Sequence, residues 1–526
     1  MRRSWPWAVL PLLVLLLFGV NLIFPRDLWV QDEARYGEAV REMVAGGHWF
    51  VPTLDGHFYP DKPPFYFWLI ALQTRLTGMG MLSFRLVTLA QVLGFAAAFF
   101  VFARRLLGES RGLWAVIIAL TSPLFLVAGN IVRMDVLLAA LVVLSLHFLL
   151  RALDEDKVGL AVAGYGLAIV AAMVKGPLGY AFPVLGAVAH AWGRGRWQGL
   201  SRLRLAAGVG MPLLVGAVWM GYLYHGGETA YIHDVVFRQL WGRGVRSWSH
   251  PQPAYFYALV LLPLFMPWLP YLRRGGQQSS GPVKSVALGW FLPGFVLISA
   301  ISGKLFVYLV PLFPPLALLV AAGLPPPWES AVGLPPARAA GVASGLFFAA
   351  LGGALFGLVC YFPARLAPVA GLLVLLGAVV VVLALRGKTQ AMLWATLAGA
   401  CVVSWGVFGW GASQANAYFS AREVGRGLAQ ARQAGYEPAA VDVARGTISF
   451  YADAEVRNLS ADEVPAALDA PGRLALVVRE KRLSRIPPRV LGRLRLAARY
   501  AQLEMDGYRL YLEAEGDGAY LVMGCK

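Results

Sequence analysis

The chain has 526 residues, of which 58% are hydrophobic and only 14% are charged. Soluble domains carry roughly 25% charged residues, so the composition excludes an ordinary soluble enzyme and describes a protein that crosses a membrane many times. The net charge of +17 does not form a nucleic-acid patch, because much of it sits in short turns such as Arg104-Arg105, Arg194–Arg204, Arg273-Arg274 and Arg386–Lys388. Cytoplasmic loops of membrane proteins gather basic residues in this way.

Crossing the hydrocarbon core takes about 20 apolar residues per helix, and about thirteen runs approach that length. They lie near 5–24, 83–107, 112–129, 132–150, 158–174, 178–192, 205–225, 254–272, 286–302, 305–322, 339–360, 366–385 and 389–411. Met1-Arg2-Arg3 ahead of the first run, with no A-x-A-like site after it, predicts an uncleaved first helix whose N-terminus is cytoplasmic. Alternate crossings then put the basic turns inside. They put the 25–82 loop, Asn130–Asp135, Lys175, the 226–253 loop, Gly303-Lys304 and the tail outside. Cys360, Cys401 and Cys525 have neither metal-ligand nor disulfide-framework spacing.

Within the 25–82 loop, Asp32–Ala45 has helical spacing, and 63–78 opens on Pro63-Pro64 before an aromatic run. Both are predicted to be helices lying along the interface. From about 414 the polarity rises. Strand-like runs at 440–443, 474–478 and 508–512 alternate with helical stretches at 421–434 and 488–498. The expected organisation is a transmembrane domain over 1–413 and a small outer α/β domain over 414–526.

Charge beside lipid is costly unless paired or solvated, so the outer charges are the candidates for chemistry. Asp32, Glu33, Arg35 and Tyr36 share one short helix, where Asp32 could equally complement the helix dipole and pair with Arg35. In Tyr59-Pro60-Asp61-Lys62-Pro63-Pro64 two prolines restrict the backbone after the lysine, which aims its ammonium. Arg133-Met134-Asp135, Lys175-Gly176-Pro177 and Gly303-Lys304 with Tyr308 repeat the pattern at helix ends. Lys62, Lys175 and Lys304 all face outward in this topology, against the usual bias, and so suit an anionic ligand at the outer leaflet. Arg243 and His250 add basic groups to the 226–253 loop between Trp241 and Trp248. There is no Walker loop, no HExxH and no CxxC pair, so nothing points to a cytoplasmic nucleotide. A lipid-linked phospho-sugar would supply an activated donor outside the cell.

The stretch 29–68, with Asp32-Glu33-Ala34-Arg35-Tyr36, Gly47-His48-Trp49 and Asp61-Lys62-Pro63-Pro64, resembles the first outer loop of the aminoarabinose transferase and protein O-mannosyltransferase-like enzymes. The similarity continues through Arg133-Met134-Asp135, Lys175-Gly176-Pro177, His250-Pro251 and Gly303-Lys304, and so covers about 1–325. The resemblance implies an α-helical, polytopic GT-C fold and a polyprenyl-phosphate-dependent, inverting glycosyltransferase of the bacterial inner membrane with a periplasmic tail domain. It implies Asp32 as general base and Asp135 as second acid. Lys62, Arg35, Lys175, Lys304 and Arg243 would bind the donor phosphate, with Glu33, Tyr36, Tyr59, Asp61, His250 and Tyr308 completing the pocket. The implied partners are a polyprenyl-phosphate sugar and an acceptor that is lipid A, another glycolipid or a protein. Asp61 stands where the aminoarabinose enzymes have a glutamate, and Gln239-Leu240 stand where they have an acid–histidine pair. A divalent metal held by Asp61 and Tyr308 therefore stays an open alternative. A flippase of lipid-linked sugars would instead want mid-membrane charges and internal repeats, neither of which is present. A non-catalytic receptor for an envelope lipid is the third reading.

Overall fold

Apolar length decides most of this architecture. The computed structural model describes residues 5–29, 32–193, 199–237, 251–325, 337–359, 366–503 and 506–513. Among the described residues, eight helices are long and apolar enough to cross a membrane, or ten if two bent pairs each count as one span. The bent pairs are Glu109–Leu120 with Pro123–Asn130, at 71°, and Phe256–Leu264 with Leu269–Gln278, at 99°. The runs near 5–24, 178–192 and 305–322 hold the shorter helices Trp5–Phe18, Pro177–Gly193 and Phe313–Ala322. The chain is a multi-span membrane protein.

Two compact units divide the chain. The membrane unit comprises residues 1–24, 60–66 and 84–411. Its helices are pinned by a few buried polar contacts, including Asn21 Nδ2 to Asn130 Oδ1 at 2.7 Å and Trp268 Nε1 to Thr121 Oγ1 at 2.9 Å. Helices Arg338–Val359 and Ala367–Leu385 approach through small residues. A Cβ on Gly345 would lie 2.5 Å from the Gly377 carbonyl oxygen, so glycine is required there.

The second unit comprises residues 25–59, 67–83 and 412–526. Its first part carries helix α1 (Asp32–Gly46), strands β1 (Thr53–Leu54) and β2 (His57–Phe58), and most of helix α2 (Phe65–Thr77). Pro63-Pro64 immediately precede α2, where missing amide hydrogens cost a helix nothing. The later part is helix α3 (Arg422–Gln433) and a five-stranded sheet. The strands are β3 (Tyr436–Val441), β4 (Arg457–Leu459), β5 (Arg473–Arg479), β6 (Leu494–Leu503) and β7 (Asp506–Glu513), in the order β4-β3-β5-β7-β6. Strand β3 runs parallel to both β4 and β5, and β7 and β6 close the sheet antiparallel. Ala475 and Val477 pack on one side of β5, Leu474, Leu476 and Val478 on the other. A strand covered on both faces reads as an unbroken apolar run, as this one does.

One expectation is corrected. The stretch 488–498 is not one helix: Pro488–Leu491 forms a turn of helix, and from Leu494 the chain is strand. A register shift between Leu496 and Ala498 interrupts the alternation of inward residues. The period-2 signal was hidden by that bulge.

Candidate active site

In the second unit, α1 begins at Asp32, whose half-buried carboxylate sits at the positive end of the helix. Glu33 is turned inward. It accepts from the Arg26 guanidinium and, at 3.1 Å, from the Trp29 amide, and Arg26 lies 4.3 Å from the centre of the Trp29 ring. Its carboxylate therefore braces the entry to the helix. Arg35 stacks 4.8 Å over Tyr59. Tyr36 is fully buried and meets Phe67 edge-on at 5.7 Å, and Phe67 also packs against Tyr59 at 6.3 Å. Arg35 is thus held over an aromatic floor rather than waving in solvent.

In the membrane unit, Asp61 and Lys62 are half-buried just before the proline pair. Asp135 opens the helix Asp135–Glu155 and is fully buried. One of its oxygens accepts from the Lys175 ammonium, the other from Arg133 Nε at 3.0 Å. Lys175 lies 4.6 Å over the Tyr308 ring, and the Gln91 side chain donates to the Arg133 carbonyl at 2.8 Å. Sequence reading missed Gln91, since a glutamine inside an apolar run gives no signal of what it touches. Both carboxylate oxygens are committed to cations, so the group can orient two positive charges for a phosphate. Lys304 is differently placed. Its buried ammonium donates to the carbonyls of Gln252, at 3.0 Å, and Ile301, beside a bridge between Pro251 and Gly303. Arg243 and His250 lie outside the described residues.

Among the described residues, one group of three acidic, histidine or cysteine side chains converges: Glu38, Glu42 and Asp55, with ligand atoms within 4.8 Å. Asp61 is not part of it. Protein donors already engage all three. Arg41 grips Glu38 with both of its bonds, at 2.7 and 2.8 Å, and backbone amides serve the other two. Burial pushes Glu38 up to about 8 against the pull of Arg41, and a hydrogen bond with Glu42 and the charge of Asp55 add to the rise. The cluster is a polar joint, and Tyr308 already faces an ammonium.

ArnT from Cupriavidus metallidurans, solved bound to undecaprenyl phosphate, superposes with a TM-score of 0.75 at 20% identity, covering 97% of this chain and 98% of that one. The chain has the GT-C fold. Residues 61–220 of this GT-C protein match the family described as dolichyl-phosphate-mannose-protein mannosyltransferase. The undecaprenyl phosphate-alpha-4-amino-4-deoxy-L-arabinose arabinosyl transferase of Shewanella sediminis is 31% identical over 332 residues, 60% of this chain and 59% of that relative. Its counterpart in Edwardsiella ictaluri is 31% identical over 333 residues, 61% of this chain and 60% of the relative. The chain thus aligns with about three-fifths of the length of these curated relatives. The resemblance drawn from the outer-loop motifs is met at the level of family similarity and fold.

Proposed function

We propose that the GT-C protein is an inverting glycosyltransferase of the bacterial inner membrane. It moves a sugar from a polyprenyl (undecaprenyl) phosphate donor to an envelope acceptor such as lipid A at the outer face. The N-terminus is then cytoplasmic, and residues 414–526 form a periplasmic domain. The observation that carries the reading is Asp135: a carboxylate with no exposure, buried at a helix end, that lines up Lys175 and Arg133. Two oriented cations in a dry setting suit a phosphate, and the curated relatives are named for an undecaprenyl phosphate donor.

In the reaction, Asp32 accepts the proton of the acceptor oxygen, which attacks the anomeric carbon from the face opposite the phosphate. The bond from that carbon to the phosphate oxygen breaks, and polyprenyl phosphate leaves with the electron pair. Lys62, Arg35, Lys175 and Arg133 neutralise the charge that develops on it. Tyr36 and Tyr59 support Arg35. Asp135 holds its two cations rather than taking a proton itself.

The test compares envelope glycolipids and glycoproteins by mass spectrometry in cells with and without the gene, and in cells carrying Asp32→Asn. A positioned base contributes about 10²–10⁴-fold, so the variant should lose a pentose- or hexose-type mass while still binding undecaprenyl phosphate. A variant that modifies its acceptor at the normal rate removes Asp32 from the chemistry. Unchanged glycan masses with altered distribution of lipid-linked sugar across the membrane would indicate a flippase.

A further inference from the structure

A short interfacial helix does not hold its own position, and α1 carries the residue assigned above as base. Several contacts within the second unit converge on it. Strands β1 and β2 are joined by Asp55-Gly56, whose φ values of 51° and 70° are those of a two-residue hairpin turn with both central residues left-handed. The Asp55 and Gly56 amides donate to the Glu42 carboxylate of α1 at 2.5 and 3.4 Å. The Asp55 side chain points the other way and accepts from the amides of Gly446 and Val456, at 2.7 and 3.1 Å.

Gly446 shows how closely the two segments meet. Its φ is +72°, and a Cβ there would lie 2.8 Å from Leu54 Cδ2, 3.4 Å from Glu38 Cβ and 3.5 Å from Arg35 Cα. The backbone of the loop after β3 therefore lies flat on the first turns of α1. A Cβ on Gly37 would meet Leu28 Cδ1 at 2.6 Å and Phe450 at 3.0 Å. Just before the helix, the Leu28 amide donates to the Tyr451 hydroxyl at 2.7 Å, and that hydroxyl is 3.1 Å from the Leu28 carbonyl it donates to. Contact is made ahead of α1, on its first turns and behind it.

We propose that residues 443–456 of the C-terminal sheet domain clamp α1, with Asp55 and Gly446 as positioning residues for the transfer step. The proposal deepens the reading of Asp32 and rests on it. A carboxylate that accepts two backbone amides makes charge-assisted bonds, which are shorter and stronger than neutral ones. A base displaced by about 1 Å can lose on the order of 10²-fold in rate. The clamp gives the tail domain a role in the reaction without any contact to substrate.

The experiment uses the full-length protein in nanodiscs, with Asp55→Ala, Gly446→Ala and, as control, Asp462→Ala at an exposed acid of the same domain. Hydrogen exchange of residues 33–46 should be about 10- to 100-fold faster in the first two, the loss expected from severed charged hydrogen bonds. The control should match wild type. Binding of undecaprenyl phosphate, used as the probe, should stay within about twofold, while transfer to the native acceptor in isolated membranes falls by roughly 10- to 100-fold. Asp55→Asn, which keeps one acceptor oxygen, should fall between. If Asp55→Ala does not fold, Asp55→Asn and Gly446→Ala carry the same reading. Unchanged exchange across α1 in folded variants overturns the clamp, as does a parallel fall of binding and transfer. Normal transfer by Asp32→Asn would instead strike the reading of the base and leave the exchange result standing.

Discussion

Asp135 and Asp32 are both aspartates at helix starts, yet their surroundings differ. Asp32 is half-buried at the head of α1, whereas Asp135 has no exposed surface and spends each oxygen on a cation. Removing one partner from a buried ion pair typically costs about 3–5 kcal/mol, because the remaining charge is left uncompensated. Asp135→Asn should therefore lower the thermal midpoint in detergent and weaken undecaprenyl phosphate binding, since Lys175 and Arg133 lose their shared anchor. Scanning fluorimetry and a binding titration read the two effects. A variant as stable and as avid as wild type would remove Asp135 from the role of holder. The motifs made all these residue types visible, but not their division of labour. Nothing in Arg-Met-Asp tells which oxygen meets which cation, and Gln91 behind Arg133 gave no sign at all.

At the scale of elements, α1 is where electrostatics and folding meet. Glu38 is buried on it and holds its proton up to about 8, well above the ordinary glutamate near 4.5. Between those values the folded state binds a proton that the unfolded chain releases. Stability contributed by the protonated form is complete below about 4.5 and is lost as pH rises through about 8. Glu38→Gln, which cannot ionise, should flatten that slope in melting curves taken from pH 5 to 9, even if it loses part of the grip of Arg41. Parallel curves for variant and wild type would mean that Glu38 is already ionised. The extents of α1 and α2 were readable beforehand, because proline placement and helical spacing are local signals. Strand β6 was not, because its bulge puts Leu494 and Ala498 at a helix-like interval.

For the whole molecule, charge and hydropathy predict which turns face the cytoplasm. With the three native cysteines replaced, a cysteine at Gly387 should react with membrane-impermeant maleimide only after cells are opened. One at Gly435 should react in intact spheroplasts. The reverse pattern would invert the topology. Membrane spans were legible because each needs only its own apolar length. The second unit was not, because it joins residues 25–59 to residues beyond 412, partly through backbone amides at Gly446 and Val456 that no side-chain pattern announces.

The bond from Gly446 to Asp55 spans 391 positions of chain. At about 5–20 residues per second, a ribosome needs roughly 20–80 s to make that stretch. During that interval the nascent protein has α1 but not the loop that packs on it. On the proposed reading, the transferase would stay idle beside its lipid donor until the loop around Gly446 had been translated.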